Sequence, residues 1–181
     1  MKTKFVGVAA AIMVVGCMDV GNLHAQEAQK KEPSGAHVPG DATTPPLRQP
    51  GFMFTEFGTP KVEEYVAYFE KVAGYKVVYR KPGYVEMETS CAQVTFLDPA
   101  IWPKAHPFYN PPPDGKRGHS MEIGLVVADL DKAFAAASEF KNKGWPISSG
   151  IVMRPWGVRD FRVLAPDGYY FRFTEPPAKG K

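Results

Sequence analysis

One interval recurs in this chain, and it limits the available folds more than any other feature. Thr59-Pro60 opens a helical pattern that Gly74 closes, and Asp129 opens a second one that Gly144 closes at the same spacing. In the first, Val62, Tyr65, Val66, Phe69 and Val72 fall on one helical stripe. In the second, Leu130, Ala133, Phe134, Ala137 and Phe140 do the same. Thr59 reads as the N-cap with proline at the first helical position, and Asp129 as the N-cap of the second helix. Glycine supplies the stop in both. Strand-like runs flank each helix: Phe52 to Gly58, Tyr75 to Tyr79, and Tyr84 to Leu97 as one long strand or two joined near Ser90. The second set is Glu122 to Val127, a strand near Pro146 to Met153, and a closing hairpin. Two similar units in tandem follow, neither with enough apolar residues for a core of its own.

The hairpin spans Pro155 to Glu175 and turns at Pro166-Asp167-Gly168. Its second run alternates. Tyr169, Phe171 and Phe173 share one face, suited to a core, whereas Tyr170, Arg172 and Thr174 share the other. The single domain covers 51–177, with unit one at 51–98, a proline-rich connection at 99–118 and unit two at 119–177. That connection carries Pro111-Pro112-Pro113 together with Trp102, Phe108 and Tyr109, either as a lid over the domain or as surface packing.

Residues 1–25 do not belong to the fold. Lys2 and Lys4 precede an apolar run from Phe5 to Gly16, the form of an export signal and too short to span a bilayer. Two processing sites compete. Val14-Val15-Gly16-Cys17 resembles a lipobox, with Cys17 lipidated, and cleavage after Ala25 would instead release a soluble protein. Both imply export, to the periplasm or to a membrane anchor. Residues 26–50, polar and rich in Pro, Gly, Ala and Thr, read as a flexible tether. With Cys17 removed or lipidated, Cys91 is the remaining thiol, so no internal disulfide forms; its place within Tyr84 to Leu97 reads as a buried strand position. A formal charge of +3 without a basic run gives no argument for a nucleic-acid partner, and the membrane enters only through the N-terminal segment.

From Met121 to Glu175 the chain resembles the second half of a vicinal oxygen chelate protein. The carrying pieces are Glu122-Ile123-Gly124-Leu125-Val126-Val127-Ala128-Asp129, then Trp156-Gly157-Val158-Arg159, then the Pro166-Asp167-Gly168 hairpin. That superfamily includes glyoxalase I, extradiol dioxygenases and bleomycin-resistance proteins. The resemblance implies an α+β fold in which two tandem βαβββ units form a cup-shaped mixed sheet. It makes a homodimer the default assembly. In enzymatic relatives, His, Glu or Gln on the first and last strands of each unit hold a divalent metal in the cup. Here Phe54 takes the first-strand place of unit one, with Glu56 on the same face. Glu122 takes the place in unit two, and Arg172 takes the last-strand place. Arginine stays protonated and offers no lone pair, so this ligand set is broken.

No cofactor is therefore expected. The expectation is a small, aromatic organic ligand, with Glu56 and Glu122 facing Arg172 as an ion pair and Phe54, Tyr84, Trp156 and Tyr170 as stacking walls. Trp156 either stacks on the ligand or caps the core; Arg159 either binds an anion or forms local ion pairs. The alternative is a metal-dependent lyase, isomerase or dioxygenase using Glu56 and Glu122 with Glu86 or Glu88, a set suited to hard ions. His106 and His119 are the two histidines within the domain.

Overall fold

The computed structural model describes residues 53–106, 109–118 and 121–176. The signal segment, Cys17, the cleavage site after Ala25, the tether, Phe52, Phe108, His119 and residue 177 lie outside them.

Each half is one strand, one helix and three strands. The first runs β1 (Phe54–Gly58), α1 (Val62–Tyr68) with a π-helical turn over Phe69–Ala73, β2 (Lys76–Lys81), β3 (Tyr84–Glu88) and β4 (Gln93–Leu97). The second runs β5 (Glu122–Val126), α2 (Leu130–Ser138), β6 (Ile147–Met153), β7 (Arg159–Leu164) and β8 (Tyr170–Thr174). Two mixed sheets result, in the orders β1-β4-β3-β2 and β5-β8-β7-β6. In each, the first strand lies parallel to the last, and the other pairs are antiparallel.

Both helical stripes are buried, except that Phe134 is half-buried. Gly74 at φ +73° and Gly144 at φ +90° occupy the left-handed region that ends a helix cheaply for glycine alone. Asp129 accepts from the Lys132 N–H at 2.9 Å, the expected cap. Thr59 behaves differently. The helix starts after Lys61, and the Thr59 hydroxyl oxygen accepts from the Lys61 N–H at 3.0 Å while donating to Asp167 Oδ2 at 2.6 Å. A tertiary carboxylate thus takes the hydroxyl that the sequence assigns to a helix cap.

Cys91 also departs from its expected setting. The long run breaks into β3 and β4 around a reversal, closed by the Thr89 N–H donating to the Ala92 carbonyl at 2.9 Å. Cys91 is in that reversal and is exposed.

One core joins the halves. The Tyr68 ring stacks on Trp145 at 3.9 Å, Tyr65 meets the same indole at 4.7 Å, and Phe57 and Phe69 contact Phe171 at 5.8 and 5.4 Å. Two polar ties reinforce it: Thr59 with Asp167, and the Tyr169 hydroxyl donating to the Gly58 carbonyl at 3.2 Å. Since the helices and these rings cover one side of each sheet, a second side is left for function.

Candidate functional site on the helix-free faces

Strand register assigns side chains to those second sides. On the first sheet, Glu56, Thr95 and Glu86 stand in one row, and Phe54, Gln93 and Glu88 in the next. Glu86 is 2% exposed and is bound by neutral donors, Tyr84 Oη at 2.6 Å and Gln93 Nε2 at 3.0 Å. Burial, and then the bond to Glu86, push the Tyr84 hydroxyl up to about 12. Phe54 and Glu56 are exposed at the β1 edge. A Cβ at Gly58, which pairs with Leu97 one row further along β1, would lie 2.6 Å from the Trp102 ring, so this glycine admits the indole. The proline-rich connection therefore packs its tryptophan onto this sheet, with His106 stacked on Trp102 at 4.5 Å.

The second sheet carries a denser charge array. Arg172 on β8 is opposite Gly124 on β5 and Arg162 on β7. The glycine makes space for the guanidinium, whose Nη2 lies 3.3 Å from where a Cβ would be. Arg172 is 7% exposed and Nε has no hydrogen-bond acceptor, although Glu122 Oε1 lies 3.5 Å away. Arg162 reaches the same Glu122 oxygen at only 3.8 Å and Asp160 Oδ1 at 3.7 Å. Asp160 is fully buried, and Arg154 holds it, with Nε at 2.7 Å and Nη2 at 2.6 Å from Oδ1. Tyr170 neighbours Arg162, whose guanidinium lies 6.0 Å from the ring centroid.

The sequence expectation of an inward Arg172 facing Glu122 matches this geometry, but Glu56 does not join the pair. It stands on the first sheet and makes no ion pair among the described residues. Glu122 is also not the residue directly opposite Arg172; it pairs with Tyr170 and reaches diagonally. Phe54, Glu56 and Tyr84 thus belong to one face, and Glu122, Tyr170 and Arg172 to the other.

Arg159 points to the helix side. Its backbone N–H and Nε donate to Glu175 at 2.7 and 2.9 Å, and its Nη2 reaches Asp131 at 3.2 Å, so its charge is used in local ion pairs. Trp156, in the turn joining β6 and β7, is 54% exposed and does not cap the core. Sequence reasoning missed Arg154, Arg162 and Asp160. One signal was present: positions equidistant from Asp167 pair across the hairpin, which sets Leu164 opposite Tyr170 and Arg162 opposite Arg172.

The described residues do not suit a divalent metal. No three His, Cys, Asp or Glu side chains converge among the described residues. On the second sheet a guanidinium, which offers no lone pair, occupies the last-strand place. A cavity of about 410 Å³ lies elsewhere, between α1 and the segment that follows α2, lined by Glu63, Glu64, Ala67, Phe140, Lys143 and Trp145. It opens on the helix side and gathers none of the arginines.

Two βαβββ halves with helices on one side and polar arrays on the other define a paired-module fold of the kind that builds binding cups. The family model of the Glyoxalase/Bleomycin resistance protein/Dioxygenase superfamily matches residues 30–173, and the chain belongs to that superfamily. Among solved structures, it is similar to a glyoxalase-related enzyme from Fulvimarina pelagi at 13% identity and a TM-score of 0.52, over 72% of this chain and 96% of that one. A protein of unknown function from Agrobacterium tumefaciens matches at 19% identity and 0.51, over 74% and 98%. A glyoxalase/bleomycin resistance protein/dioxygenase from Nocardioides matches at 16% and 0.50, over 75% and 89%. At these identities the likeness concerns the fold. No curated protein matches the sequence.

Proposed function

We propose that this protein is exported and binds a small organic molecule, aromatic in part, on the helix-free face of its second half without a catalytic metal. The observation that carries the reading is Arg172, buried opposite Gly124 where enzymatic relatives are expected to place a metal-binding carboxylate. An arginine there repels a divalent cation and favours a polar ligand group. Tyr170 supplies aromatic surface on the same face, and the exposed Trp156 in the β6–β7 turn is a further candidate stacking group. Sequestration, in the manner that the bleomycin-resistance branch suggests, needs no more chemistry than this. A homodimer is the default assembly that the family resemblance implies.

The test has two arms. Elemental analysis of purified protein, with and without chelator, should show no stoichiometric Ni, Zn, Mn or Fe. A thermal-shift screen of planar aromatic compounds should raise Tm, and Trp156→Ala or Tyr170→Ala should reduce the rise. Stoichiometric metal together with turnover of a dicarbonyl-derived or catecholic substrate would instead establish the metal-dependent enzyme.

A further inference from the structure

Arg162 and Arg172 are directly opposite on adjacent strands. Like charges so placed repel, and a sheet tolerates them only when a counter-charge stands between. The counter-charge present is incomplete. Asp160 is engaged by Arg154 at hydrogen-bond distance, and Glu122 lies 3.5 Å from Arg172 and 3.8 Å from Arg162, bonded to neither. Three guanidiniums, Arg154, Arg162 and Arg172, meet two carboxylates, Glu122 and Asp160, which leaves one positive charge in excess. Both Arg162 Nε and Arg172 Nε are buried without an acceptor. A buried guanidinium donor without an acceptor is unfavourable, and the geometry that relieves two at once is a planar oxyanion between them.

We propose that Arg162 and Arg172 take the carboxylate of a monoanionic aromatic acid, with Glu122 swinging out as it enters. This rests on the reading that the second face is a binding site, and names the ligand class. The charge count favours a monoanion, since a phosphate dianion would overfill the excess. Glu122 is the member able to leave, because its side chain is 38% exposed whereas that of Arg172 is 8% exposed. The ligand body meets apolar surface: Val126, Val152 and Leu164 are 51%, 44% and 37% exposed on the same side, and Tyr170 lies beside Arg162.

The experiment is calorimetric titration with benzoate and 2-naphthoate, using benzamide and 2-naphthamide as neutral matches of the same shape. The acids should bind at least tenfold more tightly than the amides, and rising salt should weaken them selectively. Arg162→Met and Arg172→Met should each weaken the acids by about 10- to 100-fold, the loss expected for a charge-assisted hydrogen bond. Glu122→Gln should tighten them severalfold by removing the competing carboxylate, and circular dichroism confirms that each variant is folded. Weakening by Glu122→Gln, or indifference to both arginine substitutions, overturns the proposal. If acids and amides bind alike and Tyr170→Ala weakens both, the anion site is refuted while the binding face stands. If neither class binds folded protein, both readings fail.

Discussion

Arg172→Met separates a structural arginine from one kept for a ligand. The substitution retains most of the aliphatic stem and removes the guanidinium that lies over Gly124. On the stabilising side of the arginine stands its ion pair with Glu122, 3.5 Å apart and without a hydrogen bond. Because Glu122 is more than a third exposed, solvent screens the pair and it contributes at most about 1 kcal/mol. Opposing it are a buried Nε with no acceptor, which costs about 1–3 kcal/mol, and repulsion from Arg162 directly across the strand, about 0.2–1 kcal/mol. The balance predicts that Arg172→Met is neutral or stabilises by about 1–2 kcal/mol. Urea unfolding would show it as a higher midpoint with an unchanged slope. Arg172→Ala should be worse than Arg172→Met, because it also empties the volume of the stem. A loss of about 3 kcal/mol or more for Arg172→Met, as found when one partner of a structural buried pair is removed, would refute this reasoning. Stability gained where aromatic-acid binding is lost is the signature of a site maintained against the interest of the fold.

Four further substitutions probe the frame around that face. A Cβ on Gly118 would lie 2.3 Å from Tyr169 Cα and 2.4 Å from its backbone nitrogen; Gly118→Ala should cost about 2 kcal/mol or more by urea unfolding, whereas Gly150→Ala, with open space around it, should be neutral or stabilising. Thr59→Val removes the hydroxyl that donates to Asp167 and accepts from Lys61, and should lower stability by about 1–2 kcal/mol with little change in ligand affinity. The carboxyl of Glu175 is held below its usual range, first by the Arg159 backbone N–H; burial acts next, in the upward direction, and the Arg159 guanidinium then lowers it further. A depressed folded-state value gives stability that is present above the unfolded value, near pH 4.3, and lost as pH falls through the folded one. Wild type should therefore exceed Glu175→Gln in thermal stability at pH 6–7, and the gap should close in acid; a gap that widens there would contradict the assignment.

The parts of this structure that were legible in the sequence are those set by short-range chemistry. Alternation along Tyr169 to Thr174 separates buried Phe171 and Phe173 from Arg172 without reference to any distant strand, and the spacing from Asp129 to Gly144 fixes a helix from its two ends. What could not be read depends on partners far away in the chain. Thr59 looks like a helix cap until Asp167 arrives from the other half, and Cys91 looks buried until the reversal at Thr89 to Ala92 turns it outward. Glu56 and Glu122 both lie on the helix-free side of the first strand of their unit, yet they stand on separate sheets. The consequence is that the two faces differ in kind. On the first, Glu86 is met by Tyr84 and Gln93, with hydrogen bonds to both of its oxygens. On the second, Arg162 and Arg172 share a carboxylate that bonds to neither. A fold with no further task could have ended both arrays in the first manner, and the unmet donors of the second are the reason to look for its ligand there.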